Sequence, residues 1–163
     1  MKTTILKSAL CVAIAFASVL NMNLMAQDKF ITNDVMTGDL VTSKIVYRHD
    51  GSLYRHIKHD FKYDDQNRVI EKETFKWNSS KDEWVPYCKI NLTYTSDQVV
   101  MNYGKWNNKS KAYNEAQERN VYELDGFSIP VAYQNYKWNG QEGEWKIVED
   151  VRLSDTSVLY AIN

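Results

Sequence analysis

The sequence predicts an all-β fold: an antiparallel up-and-down meander of about eight or nine strands, in a single twisted or curved sheet or an open half barrel. Three observations carry that expectation. Polar segments bracketed by tryptophan or tyrosine recur along the chain, the stretches between them are rich in Val, Ile, Thr, Tyr and Phe, and no window carries an apolar stripe of about 3.6-residue period. Composition agrees with a folded domain. The 163 residues are 44% hydrophobic and 25% charged, enough to bury a core in one domain and too few for two ordinary ones.

The first 26 residues read as a secretory leader and not as part of the sheet. Lys2 and Lys7 make a basic start, residues 8–20 lean apolar, and residues 21–26 end in the small side chain of Ala26, after which cleavage is expected. The apolar run is shorter than the roughly 20 residues of a spanning helix, and no later run is long enough either. Cys11 does not fit a lipid-attachment site, because Leu10 precedes it and it lies inside the apolar run. The expected organisation is a signal at 1–26, an N-terminal extension at 27–43 and a β-meander at 44–163, in a protein exported to the periplasm or outside the cell. Losing Lys2 and Lys7 takes the 20 basic residues to 18 against 21 acidic ones, a net charge near −3. That balance offers no electrostatic footprint for nucleic acid. Cys88 is then the one remaining cysteine, so packing and not an intrachain disulfide must hold the fold.

In chain order, the first strand is expected at 44–47, before the turn Tyr47-Arg48-His49-Asp50-Gly51, whose Asp-Gly pair takes the positive φ angles of a tight hairpin. The second, 52–63, ends at Tyr63-Asp64-Asp65-Gln66-Asn67-Arg68, where Asn67 adopts the same backbone region. The third, 68–77, runs into Trp77-Asn78-Ser79-Ser80-Lys81-Asp82-Glu83-Trp84. The fourth, 84–94, alternates Trp84, Cys88, Ile90, Leu92 and Tyr94 against Lys89, Asn91 and Thr93, which makes Cys88 a buried structural thiol. Tyr94-Thr95-Ser96-Asp97-Gln98 then turns the chain into 98–106, and Trp106 opens a second hairpin that closes at Tyr113. Strand 113–124 is polar in its middle, from Asn114 to Asn120, and should be solvated on both sides, which a closed sandwich does not tolerate in a central strand. After Tyr122-Glu123-Leu124-Asp125-Gly126 come 127–138, a third hairpin from Trp138 to Trp145, strand 145–153 and a last strand at 157–161. Pro86 and Pro130 each follow a turn closely, where a bulge or an edge accepts them.

The three tryptophan hairpins share the form Trp-Asn, five variable residues, then Trp or Tyr, and the polar loop favours a reversal over strand pairing. Tyr63-Asp64-Asp65-Gln66-Asn67-Arg68-Val69-Ile70 resembles the YD repeat of bacterial RHS-type proteins, with Asn67 in the place of the usual glycine. Over positions 40–155 the chain more closely resembles a family of uncharacterised secreted proteins of Bacteroides-type bacteria built from such tyrosine-turn and tryptophan-hairpin units. The resemblance implies an exported β-meander and brings no catalytic residue with it.

Residue type and strand parity limit the candidate sites. His49, His56 and His59 lie in one hairpin, but 56 and 59 project to opposite faces unless a bulge intervenes, so no metal site is expected. Glu71 and Glu73 share a face roughly 7 Å apart, a glycosidase-like separation; Lys72 and Lys76 lie beside them in sequence but on the other face, and an ordinary solvated charged face is expected for the two glutamates. There is no phosphate loop, nucleophile elbow or EF-hand spacing, and no cofactor is implied. The expectation is a non-catalytic binding or envelope-associated module, with Trp77, Trp84, Trp106, Tyr113, Trp138 and Trp145 forming an aromatic surface for a glycan or an envelope protein. The alternatives are self-association through edge strands, and a small hydrolase using Glu71 and Glu73.

Overall fold

The computed structural model describes residues 30–49 and 51–152, and all regular structure in them is β. The strands are β1 (Phe30–Thr37), β2 (Leu40–His49), β3 (Leu53–Tyr63), β4 (Val69–Asn78), β5 (Glu83–Tyr94), β6 (Gln98–Asn107), β7 (Ala112–Tyr113), β8 (Glu118–Leu124), β9 (Pro130–Asn139) and β10 (Glu144–Arg152). They form one antiparallel meander in the order β1-β2-β3-β4-β5-β6-β8-β9-β10, with the two-residue β7 paired to β6 off this path. β1 and β10 stand at opposite ends of that order and, among the described residues, do not pair with each other. Within the described residues the chain divides into two compact units, one of residues 30–92 and 102–117, the other of 93–101 and 118–152.

The sheet starts earlier than position 44. Residues expected as an N-terminal extension carry β1, which pairs with β2 from Phe30 opposite Arg48 to Thr37 opposite Leu40. Its side chains are exposed on both faces apart from Phe30, so β1 has no half-buried alternation for a sequence pattern to display. The single strand expected at 113–124 is broken. Ala112 and Tyr113 close a hairpin with β6, and residues 114–117 then leave the ladder, with Asn114 N–H donating to Lys105 C=O and Gln117 N–H to Tyr103 C=O. Gly104 makes room for that detour, since a Cβ on it would stand 2.7 Å from the Asn114 carbonyl oxygen. The strand expected at 127–138 begins at Pro130, because residues 125–129 form a turn. The expected strand at 157–161 lies outside the described residues.

Two of the strand-connecting turns have the same construction. Asp64 accepts from the backbone N–H of Gln66 and Arg68 through Oδ1, and its carbonyl accepts from Asn67 N–H. Asp125 does the same for Phe127, Ile129 and Ser128. In each, the fourth residue is left-handed, Asn67 at φ 60° and Ser128 at φ 62°. A short acceptor side chain at the first position replaces backbone partners that the turn leaves unmade.

Bulges decide which face each side chain takes. Cys88 lies opposite Thr74 but Pro86 lies opposite Phe75, so Tyr87 is an extra residue in β5. Trp84 is therefore on the face opposite to Cys88, Ile90 and Leu92, and does not share it as plain alternation predicts. The Cys88 face is the buried one in the first unit, where Val46, Phe61, Cys88 and Leu92 pack beside Thr74 and Lys72. Cys88 is buried there as a structural thiol, as the strand pattern led one to expect. No large side chain among the described residues is fully enclosed, and Val99 and Ala132 are the buried apolar positions of the second unit.

Candidate functional site

The three tryptophan hairpins are built alike, from the sequence upward. In each, the asparagine after the first tryptophan turns its Oδ1 back onto the loop, Asn78 onto Ser80 N–H, Asn107 onto Lys109 N–H and Asn139 onto Gln141 N–H. The fifth residue after the tryptophan is left-handed in all three: Asp82 and Lys111 at φ 53°, and Gly143 at φ 67°. That loop sets the register so that Trp77 stands opposite Trp84, Trp106 opposite Tyr113 and Trp138 opposite Trp145. The rings meet edge to face, with centroids 5.0, 5.0 and 5.5 Å apart and interplanar angles of 67°, 69° and 65°. Such pairs contribute roughly 0.5–1.5 kcal/mol beyond their buried area.

Each pair also carries a cation from a neighbouring strand. The Arg55 guanidinium lies 4.4 Å from the Trp77 ring centre, Lys89 Nζ 4.8 Å from Tyr113, and Arg119 4.4 Å from Trp145. One ring face in each pair is thus covered by the protein's own charge. These cations were not foreseen, because their placement depends on tertiary register. Arg55 reaches Trp77 only because Val46 faces Ile57 while Tyr47 faces Arg55, leaving His56 as an extra residue in β3.

In the first unit the two aromatic pairs share a face with the carboxylates. Glu73 and Trp77 lie at even spacing on β4, and Tyr113, across from Trp106, donates its phenolic hydrogen bond to Glu73 Oε1. Lys62 Nζ is 2.9 Å and Lys89 Nζ 3.3 Å from opposite oxygens of Glu71. Burial pushes the Glu71 carboxyl up, but hydrogen bonds from Lys62 and Lys89 outweigh it and hold the group below the usual carboxylate range. Burial and Glu73 together push the Tyr113 phenol well above the ordinary tyrosine value. A glycosidase acid needs a carboxyl that keeps its proton near neutrality, and Glu71 has the opposite environment. Trp138 and Trp145 belong to the second unit, where Tyr136, Ile147 and Arg119 share their face through the cross-strand pairs. Trp138 is 41% and Ile147 49% exposed.

The bulge at His56 is the exception to strand parity, so alternation alone does not separate His56 from His59, and each histidine has its own neighbours. His59 Nδ1 is 3.0 Å from Thr74 Oγ1, and its pKa is pushed down to about 4 by burial, then by Lys72 and Lys44, against a smaller opposing effect of Asp60. His56 sits at the β3 bulge beside the Phe30 ring, 5.6 Å between centroids. His49 is opposite Leu53. Among the described residues no three His, Cys, Asp or Glu side chains come together as a metal site would require. No helix among them is long and apolar enough to cross a membrane.

Comparison with known proteins places this arrangement in a family. The chain resembles a structure from Bacteroides fragilis of a protein of unknown function, with a TM-score of 0.70 and 22% identity over 77% of this chain and 92% of that one. It also resembles a family structure from Bacteroides vulgatus, TM-score 0.54 and 32% identity over 60% of this chain and all of that one. A third, from Parabacteroides distasonis, gives 0.51 and 26% over 60% and 90%. None of the curated proteins matches. The model of the DUF3836 family, a family of unknown function, matches residues 1–124, and the chain belongs to that family.

Proposed function

We propose that the protein is an exported, non-catalytic β-sheet module that binds a glycan or an envelope protein through its aromatic hairpins, with Trp138 and Trp145 as the principal contact. The observation that supports this most is the face formed by Trp138, Trp145, Tyr136 and Ile147, where two rigid indoles and an aliphatic side chain lie together and Trp138 and Ile147 are among the exposed large apolar residues. Trp77, Trp84, Trp106 and Tyr113 are secondary candidates; Arg55 and Lys89 lie over two of their four rings, as Arg119 lies over Trp145 in the principal pair. An exposed indole stacks on the C–H face of a sugar ring or on an apolar side chain without losing much conformational freedom. Export rests on the order of basic, apolar and small residues in positions 1–26.

Titration of the protein with a panel of envelope polysaccharides, followed by tryptophan fluorescence and calorimetry, tests the reading. A saturable change that Trp138→Ala weakens about tenfold or more, with the fold intact by circular dichroism, is the expected result. Binding unchanged in Trp138→Ala would remove this hairpin from the site, and silence across the panel would remove the glycan. Intact mass of protein recovered from its host should correspond to a chain that starts at Gln27.

A further inference from the structure

We propose that the outer edge of β1 pairs with the same edge of a second copy of this chain, antiparallel, about a two-fold axis at Asn33. Two strands end the sheet, and they differ in how they treat the edge. β10 holds Glu144, Lys146, Glu149, Asp150 and Arg152, and its Val148 is an extra residue between the pairs Ile147 with Tyr136 and Glu149 with Asn135. Charge and a bulge are the devices by which natural sheets block further pairing. β1 has neither. It contains no proline, glycine, lysine or arginine, its pairing with β2 leaves no extra residue in β1 itself, and its single charge, Asp34, sits 3.5 Å from Lys44 of the neighbouring strand. Ile31, Val35 and Met36 are exposed, each close to half of its surface, and among the described residues no strand pairs with the outer side of β1.

The occupant follows from the sequence of the edge. Two antiparallel copies of β1 in one continuous sheet are related by an axis perpendicular to it, so residues of like parity must oppose one another. Centring the axis on Asn33 pairs seven residues of each chain: Asn33 with itself, Ile31 with Val35, Phe30 with Met36, and Thr32 with Asp34. Both apolar pairs form twice, and Asp34 meets Thr32 and not its own copy. A head-to-tail alternative, β1 against β10, would bring the uncharged strand onto a bulged and charged one. Seven paired residues bury less than the roughly 1,200–2,000 Å² of a standard interface, so the dimer is weak and concentration-dependent.

Light scattering and sedimentation of the protein with its natural N terminus, up to about 1 mM, where a weak complex becomes populated, test the pairing. The expected result is a monomer–dimer equilibrium that Val35→Lys shifts at least tenfold toward monomer while circular dichroism is unchanged. Under mild oxidation Asn33→Cys should give a disulfide dimer, since directly opposed residues have Cα atoms about 5 Å apart, within disulfide reach. Ile31→Cys alone should not, and Ile31→Cys with Val35→Cys should. A monomer at every concentration, a dimer indifferent to Val35→Lys, open-ended growth into filaments, or equal cross-linking through Ile31→Cys alone would each overturn the proposal. None of these outcomes bears on the aromatic hairpins, so the two readings stand or fall separately.

Discussion

The phenol of Tyr113 donates its hydrogen bond to Oε1 of Glu73, forty positions earlier in the chain, and so ties the second tryptophan hairpin to the middle of β4. The bond joins a short, two-residue strand to a long one, and Lys89 lies over the same phenol ring. Tyr113→Phe keeps the ring pair with Trp106 but leaves a half-buried carboxylate without this donor, and is expected to lower stability by about 1–2 kcal/mol. Glu73→Gln keeps an acceptor and should lower it by less. Urea unfolding of the two variants checks the order. Equal losses would mean that the charge on Glu73 and not the phenol's hydrogen bond carries the effect.

Gly104 should resist substitution for a steric reason. An added Cβ meets the Asn114 backbone oxygen at 2.7 Å, and a backbone atom cannot move aside as a side-chain tip can. Gly104→Ala is expected to destabilise by about 2 kcal/mol or more. Gly126→Ala, where nothing stands within 4 Å and φ is not positive, should change stability by less than about 0.5 kcal/mol. Thermal melts of the two side by side separate a crowding effect from a general cost of replacing glycine.

The left-handed loop position supplies a prediction of opposite sign. Lys111 and Gly143 occupy equivalent places in their hairpins, at φ 53° and 67°. Lys111→Gly relieves a side chain held in a disfavoured region and should raise stability by up to about 1 kcal/mol, less the extra freedom glycine gives the unfolded chain. Gly143→Lys should lower it by about the same amount. If both variants moved the melting temperature in one direction, loop strain would not be the cause.

Acid should weaken the fold in a window set by His59. Burial, with Lys72 and Lys44, pushes its folded pKa down to about 4, against 6.5 for an unperturbed imidazole. Between these values the unfolded chain binds a proton that the folded chain refuses, so stability rises with pH across the window and is lost as pH falls through it. With solvent screening of a partly exposed ring allowed for, the contribution is of order 1–2 kcal/mol. His56, pushed down by burial and by Arg48 and Lys76, acts in the same direction. Glu71 and Asp64 are held below the usual carboxylate range by their basic partners, so their stabilisation is lost only as pH falls further, through their folded pKa values. His59→Gln should flatten the dependence of the urea midpoint on pH between about 4 and 6.5, and a slope as steep as the wild type's would assign it to other groups.

Much of the fold was legible in the order of residues because a meander is assembled from local reversals. A Trp-Asn loop with a left-handed fifth position determines which two aromatics oppose one another, and Asp64 and Asp125 complete their turns within five residues of chain. The all-β class, the antiparallel meander and the burial of Cys88 followed from such short-range patterns. β1 did not, because a strand solvated on both faces has no alternation to read. Strand 113–124 did not either, since nothing in its own residues announces that Gly104 on a neighbouring strand will let the backbone cross.

What the sequence by itself determined are the reversals and the ring pairs, which depend on contacts a few residues apart. Tertiary structure alone decided which face each pair occupies and what covers it. One extra residue at His56 or Tyr87 inverts every side chain beyond it, and Arg55 over Trp77 and Trp84 away from Cys88 both follow from where those bulges fall. Strand parity has a period of two, so a single inserted residue is enough to exchange one face for the other.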